Sequence, residues 1–445
     1  MATVRAFRGV LYDPKRVGGD LSKVVAPPYD VINEDERREL HQRHPRNFVR
    51  LILGEDKPGD SDAENRYTRA GGYLRDWLAD GTFVRDGAPS LYFYRQSYRF
   101  PWEQHDRDRD GVIAGVRLEA LDAGIILPHE RTLDAPKADR LLLTEATGAN
   151  LSPVFGLFSD ADGSILSPIR ALTATPPRLD GTDPAGVRHR LWTVSDPTLV
   201  AVFSRALADR QIFIADGHHR YSTALNFRNR ARQQFPDAGE RATFEHVLMY
   251  LMAIEDPGLV ILPIHRVLHG LPGFDATAFL AGVTSRLPVV REVADARAAR
   301  AALDAEPADA RRVALVVRGR PGATILDLAG RPGLGEAPPH IPAVLWDLDL
   351  RRIHHWIVEE VAGIDTAAQA RKEHLHFLTD EVEAEREVRS GAGDVAILVR
   401  PTKIQQVTAV ASAREVMPQK STFFYPKLAS GMVIHPLIPP EPLVP

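Results

Sequence analysis

The chain has 445 residues, 44% of them hydrophobic and 26% charged, with 55 basic against 59 acidic side chains and a formal net charge of −4. That length suits two or three domains around sizeable cores, and the near-neutral balance excludes the broad basic field that binding to nucleic acid needs. No cysteine is present, which removes disulfides, thiolate nucleophiles, iron–sulfur clusters and cysteine-held zinc together. Met1 to Val10 does not read as a secretion signal, and no apolar run approaches a membrane span. A cytoplasmic protein with no membrane partner is expected.

Residues 3–12 read as a strand, followed by the proline-fixed loop Ala26-Pro27-Pro28-Tyr29-Asp30. Asn33 with Glu36 has the spacing of a capping box and opens a helix to about His44. The β-rich run Asn47 to Leu53 predicts a strand, and Ser61 is the expected cap of a helix ending near Ala79. Strands are expected at 90–98 and 111–118, joined by a polar hairpin loop from Glu103 to Asp110. A short apolar run at Ile125, a charged loop and a helix come next, then a buried strand at 153–158. The stretch 173–186, rich in Pro, Thr, Asp and Gly, reads as a surface connection. Strand 187–193, helix 197–208, strand 211–215, helix 219–233 and strand 245–253 then alternate, which argues for a mixed α/β core. Residues 267–342 read as an accessory subdomain of helix, strand, helix and two strands. A helix at 343–362, a β-like segment at 371–377, helix 379–390, strand 394–399 and helix 402–411 precede a polar tail and a proline-rich end. The expected division is 1–120, 121–266, 267–342 and 343–445.

Three segments carry candidate chemistry. The first is Ile212-Phe213-Ile214-Ala215-Asp216-Gly217-His218-His219-Arg220, where an apolar strand stops, a glycine turns and a helix starts. The unpaired N–H groups and dipole of a helix start attract anions. His218, His219 and Arg220 would grip phosphate oxygens there, and Asp216 would bind Mg²⁺ or act as a base. The plainer alternative is a helix cap with exposed histidines. The second segment is His129-Glu130-Arg131-Thr132 with Lys137, Asp139 and Arg140 behind it, the mixture of carboxylate, imidazole and cations that phosphoryl transfer uses. The third is Gln419-Lys420-Ser421-Thr422 with Lys427; its Lys-Ser-Thr lacks the glycines of a P-loop, so it is read as an anion-closing segment or an edge strand. His265 is a further candidate. His354-His355 with Glu359-Glu360 read as a solvated helical face rather than a metal site, and His374 with His376 share one face of an expected strand without an obvious third ligand. Gly71-Gly72 follows no strand and is not a dinucleotide fingerprint.

The motifs Ala26-Pro27-Pro28-Tyr29-Asp30, Asn47-Phe48-Val49-Arg50, Leu127 to Thr132, Pro136 to Arg140, Ala215 to Arg220 and Pro418 to Lys427 occur in order along the chain. Together they resemble a bacterial and archaeal family described as a domain of unknown function. Through Asp-Gly-His-His-Arg that family looks related to free-serine kinases built on a ParB/sulfiredoxin-like core. The resemblance implies a mixed α+β fold in which such a core is elaborated by N-terminal and accessory lobes. It also implies phosphorylation of free L-serine with inorganic pyrophosphate as donor, Mg²⁺ as cofactor, Asp216 to Arg220 at the phosphoryl-transfer centre and an upstream glutamate as base. Glu130 is the match chosen for that glutamate, and Asp216 is the other candidate for the base. His218, His219, Arg220, Lys137 and Arg140 would neutralise phosphate charge, and Lys420, Ser421 and Thr422 would close the donor side. His129, Asp139, His265 and Lys427 complete the candidates. The partners implied are small molecules, with homo-oligomerisation left open. Two rivals are a phosphohydrolase acting on phosphoserine or a similar small phosphoester, and a ParB-like nucleotide- or DNA-binding protein, which the charge disfavours.

Overall fold

The structure is a computed structural model that describes residues 2–100, 103–132, 134–331, 334–438 and 441–443. Part of the proline-rich end expected to run extended, residues 439–440 and 444–445, lies outside the described residues. The chain forms two compact units, one of Met1–Pro128, Thr132–Val260 and Pro426–Pro445, the other of His129–Arg131 and Ile261–Tyr425.

The first unit is built on a mixed sheet. Its strands run in the order Ile126–Leu127, Ile212–Asp216, Val154–Phe158, His246–Ala253, Arg107–Arg117, Leu91–Tyr98, Arg188–Val194 and Leu179–Thr182, with Val4–Arg5 paired to Arg107–Arg117. Ile212–Asp216 runs parallel to Ile126–Leu127, and His246–Ala253 parallel to Val154–Phe158. The other pairings are antiparallel among the described residues. Every side chain of Val154–Phe158 and His246–Ala253 is buried, as their apolar sequences require. One core gathers Phe93, Val112, Ile212 and Met249 with Phe203 of the helix Pro197–Ala208 and Tyr221 of the helix His218–Gln234. Tyr221 also ties that helix down, because its hydroxyl donates to the Glu119 carbonyl and accepts from the Glu119 amide, both at 2.9 Å.

Two helices, Arg66–Ala79 and Asp134–Thr147, cover part of this unit. They approach closely at Gly71, where a Cβ would stand 2.3 Å from the Ala146 carbonyl oxygen. Gly71 is therefore a packing device, whereas a Cβ at Gly72 would meet nothing within 4 Å.

The second unit holds an antiparallel sheet in the order Val289–Val293, Ala323–Asp327, Arg312–Val317, Val395–Val399, His265–Leu268 and Leu375–Leu378. Alternation along Arg312–Val317 sends Val313, Leu315 and Val317 into one core, and Ala314 and Val316 into another. The second core packs against Ala299 and Leu303 of the helix Ala296–Asp304 and against Ala384 and Val388 of the helix Glu381–Ser390.

Several expectations are corrected. Residues 267–342 do not stand as a subdomain, because their three strands share one sheet with His265–Leu268, Leu375–Leu378 and Val395–Val399. The boundary expected at residue 120 is crossed by the first unit's sheet, and residues 426–445 leave the C-terminal part to join that unit. The strand expected over 3–12 is two short strands, Val4–Arg5 and Val10–Tyr12. Residues 47–53 form a short helix, Val49–Ile52, in place of a strand. The cause is Asn47, fully buried, whose side chain accepts from the Val49 amide and donates to the Lys23 carbonyl, so side-chain bonding overrides β-propensity. Asn65 rather than Ser61 caps Arg66–Ala79. The polar stretch 103–110 enters the strand Arg107–Arg117, because Arg95 pairs with Asp110 and Ser97 with Asp108 across the ladder. The connection 173–186 supplies the edge strand Leu179–Thr182. The helix expected over 343–362 breaks into Ala343–Trp346, Asp349–Ile353 and a π-helical segment His354–Glu359.

Candidate functional site

Asp216 ends the strand Ile212–Asp216 at a bulge, where the register against Val154–Phe158 shifts between Ile214 and Asp216. A bulge at a strand end re-aims the side chain beyond it. Gly217 follows with φ 88°, left-handed, and starts the helix His218–Gln234. Glycine is required twice over here: the φ suits no other residue well, and a Cβ would lie 2.9 Å from the Arg220 guanidinium.

That tight turn lets residue 220 reach back to residue 216. Arg220 Nη2 donates to Asp216 Oδ2 at 2.9 Å, and Arg220 Nη1 donates to the Pro153 carbonyl. The Lys427 ammonium stands 3.4 Å from Asp216 Oδ1. Burial works to raise the Asp216 carboxyl, but Lys427, Arg220 and His218 outweigh it, and the group is held far below the usual carboxylate range. An acid so strong stays ionised at neutral pH and is a poor proton acceptor. Both of its oxygens face cations, an environment that repels a divalent metal. Among the described residues no group of three or more His, Asp or Glu side chains could hold a metal ion. The donor set at Asp216 does not fit a resident Mg²⁺.

A second ionic cluster lies in the same unit. Arg140 Nε donates to Asp139 Oδ2 at 2.7 Å, and Arg140 Nη1 to the Ile52 carbonyl at 2.7 Å. Asp139 Oδ1 accepts from Arg66 and from the Tyr67 hydroxyl, each at 2.7 Å. Burial favours the neutral acid, yet Arg140, Tyr67 and Arg66 together lower the Asp139 carboxyl. Asp139 is thus committed to holding Arg140. The guanidinium of Arg140 also sits 4.0 Å from the centre of the Tyr29 ring. Lys137 lies on the same helix, Asp134–Thr147.

His129, Glu130, Lys420, Ser421 and Thr422 belong to the second unit. His129 is fully buried, its Nε2 3.0 Å from Thr422 Oγ1, and its carbonyl accepts from the Met417 amide at 2.9 Å. Ser421 turns its hydroxyl to the Pro418 carbonyl at 2.5 Å, and its own carbonyl accepts from Thr402. These bonds fold residues 417–422 into a tight loop in which Lys420 takes a left-handed φ of 55° and is exposed. Arg266, fully buried, braces the loop by donating to the Lys420 carbonyl at 3.0 Å. Burial lowers its guanidinium to about 9, and the Glu130 carboxylate acts in the opposite sense.

His265 is fully buried in the second unit's sheet; its Nδ1 accepts from the Val399 amide at 3.2 Å. It is a packing residue with no surface to offer a ligand. His354 is buried rather than on a solvated face, and bonds Gln369 at 2.7 Å. The structure therefore brings together Asp216, Arg220 and Lys427, and pairs Asp139 with Arg140. The contributions of Tyr29, Arg66 and Tyr67 escape a sequence reading. The one signal was Tyr29's place in the Pro-Pro-Tyr-Asp motif.

Comparison with solved structures finds likeness to a conserved hypothetical protein from Pyrococcus furiosus, at 14% identity over 72% of this chain and 93% of that one, with TM-score 0.34. A free serine kinase in complex with AMP is similar at 14% identity over 74% and 90%, with TM-score 0.32. SbnI with a C-terminal truncation, from Staphylococcus aureus, is similar at 12% identity over 73% and 87%, with TM-score 0.34. With scores near one third, these likenesses carry no chemistry over to this chain. No curated protein matches the sequence. The family model described as a protein of unknown function, DUF1015, matches residues 4–350, most of the chain, and the chain belongs to that family.

Proposed function

We propose that the chain is a free L-serine kinase that takes a phosphoryl group from inorganic pyrophosphate and gives O-phospho-L-serine. The observation that carries this reading is the ionised Asp216 held between Arg220 and Lys427 at the start of a 17-residue helix. Lys427, Arg220, the helix N–H groups and His219 supply the charge neutralisation that phosphoryl transfer depends on, and Asp216 fixes the cations in place. The sequence resemblance supplies the identity of donor and acceptor.

The chemistry balances simply. The serine hydroxyl loses its proton to a base, its oxygen bonds the near phosphorus, and the bridging P–O bond breaks to release phosphate. Asp216 is too strong an acid for the task, and Glu130 is the base that the sequence resemblance alone offers. Magnesium travels with pyrophosphate as part of the substrate. His218 supports Asp216 electrostatically, and Lys137 and Arg140 are assigned to phosphate charge.

The test incubates the protein with L-serine, Mg²⁺ and pyrophosphate, ADP or ATP in turn, and follows phosphoserine. Phosphoserine formed from pyrophosphate supports the reading. Phosphate released from phosphoserine or pyrophosphate without serine phosphorylation replaces it with a hydrolase.

A further inference from the structure

The first unit contains a pocket with about 490 Å³ of empty space, the open solvent at its mouth included. Four separated motifs meet there. Tyr29 comes from the Ala-Pro-Pro-Tyr-Asp loop, Arg140 from the helix Asp134–Thr147, and Arg220 with Thr223 from the helix that Gly217 opens. The Asn47 segment contributes Ile52, whose carbonyl holds Arg140. Of this lining, Arg140 and Arg220 are also used by the phosphoryl-transfer reading.

The walls are mostly apolar, with Leu143, Leu151, Ala224 and Val247 buried along them. Such a surface disfavours a hydrated polyphosphate and favours a small carbon body. Polar capacity is concentrated in the two arginines. A guanidinium has five N–H donors; Arg140 uses Nε, Nη1 and Nη2 once each, and Arg220 uses Nη1 and Nη2. Both retain donors for an anion. The Thr223 hydroxyl is buried and has no hydrogen-bond partner among the described residues. A buried hydroxyl left unpaired costs stability unless something fills the need. Tyr29 closes the group, its ring under Arg140 and its hydroxyl within the influence of both Arg140 and Arg220.

We propose that this pocket is the acceptor subsite, and that it takes a small 2-amino acid, its carboxylate on Arg140 and Arg220 and its carbon body against the apolar wall. The assignment rests on the kinase reading for the word acceptor, but the binding itself can be measured alone. Because the wall is apolar, L-threonine and L-valine bind no worse than L-serine.

The experiment titrates the full chain with L-serine, L-threonine, L-valine and pyrophosphate by calorimetry, in wild type, Thr144→Leu and Thr223→Val. Thr144 lines the pocket from the helix Asp134–Thr147, and leucine there fills it while keeping helix propensity. Thr223→Val removes the orphan hydroxyl at constant shape, so it folds at least as well as wild type. The expected result is amino-acid affinity reduced about tenfold or more in Thr144→Leu, reduced less in Thr223→Val, and pyrophosphate affinity unchanged in both. Failure of all three amino acids to bind wild type, or wild-type affinity in Thr144→Leu, overturns the assignment. If amino acids bind this way and no donor yields phosphoserine, the pocket stands and the kinase reading falls. If phosphoserine forms with an unchanged KM for serine in Thr144→Leu, the kinase reading stands and the pocket falls.

Discussion

Asp216→Asn tests the electrostatic account of the site most directly. The carboxylate faces Lys427 at 3.4 Å and Arg220 at 2.9 Å. At an effective dielectric of about 20, each unit pair at such separations is worth about 5 kcal/mol before desolvation is counted. Stripping water from the carboxylate offsets several of those kcal/mol, and removing one partner of a buried pair costs about 3–5 kcal/mol net. The three side chains are 10–21% exposed, so the lower end, about 3 kcal/mol, is the working figure. The asparagine oxygen still accepts from Arg220, but its NH₂ then faces the Lys427 ammonium, donor against donor. For a unit of this size the melting transition falls by about 5 °C. The pH dependence carries a sign. Asp216 has its carboxyl lowered on folding, so its contribution is present above the unfolded value near 3.9 and is lost as pH falls toward the folded one. Scanning calorimetry on wild type and variant therefore shows a full gap from neutral pH down to about pH 5, narrowing only below about pH 4. A gap under about 2 °C at neutral pH, or one that keeps its size in acid, refutes the reasoning.

Other expectations are simpler to state. Gly217→Ala combines a left-handed φ with a Cβ 2.9 Å from the Arg220 guanidinium; it costs about 1–2 kcal/mol and loosens the Asp216–Arg220 pair, read by chemical denaturation and by pyrophosphate binding. His219→Ala, at a half-buried position in the helix's first turn, loses most phosphoserine formation while its melting temperature stays at the wild-type value; equal turnover removes His219 from the site. Buried His354 has its imidazole lowered to about 3, by burial first and Arg266 second. The unfolded chain binds that proton near pH 6.5 and the folded one does not, so the second unit loses about 1.4 kcal/mol per pH unit as pH falls from about 6.5 toward 3. His354→Gln flattens that slope, which acid titration of the unfolding midpoint reads out.

The strand, glycine and helix around Asp216 were legible because each step has a local cause: an apolar run, a residue tolerant of φ 88°, and a polar helical segment. The Asn33 capping box was legible for the same reason, its two bonds lying within four residues. Misreadings came where a distant partner decided the outcome. Asn47 turns a β-branched run into a helix by bonding Lys23 and Val49. Lys427 reads as part of a polar tail until it is seen against Asp216. The Tyr67–Asp139–Arg140 chain joins two helices whose contact no periodicity announces. The three strands at 289–327 look self-contained in sequence, because the neighbours that complete their sheet arrive before and long after them.

Residues 426–443 rejoin the first unit after the whole of the second has been made: His435–Pro436 pairs with Ala149–Asn150, Ser430 bridges Ala26, and Lys427 meets Asp216. On the ribosome, Asp216 and Arg220 are therefore complete long before the lysine that balances them emerges. A nascent chain stalled anywhere in the second unit carries the Asp-Gly-His-His-Arg turn without its third charge and without its last strand. Synthesis order thus delays the balanced ion cluster until Lys427 has emerged. A fragment ending near residue 260, the apparent limit of the first unit, is the wrong piece to express. The smallest workable one splices 426–443 back on.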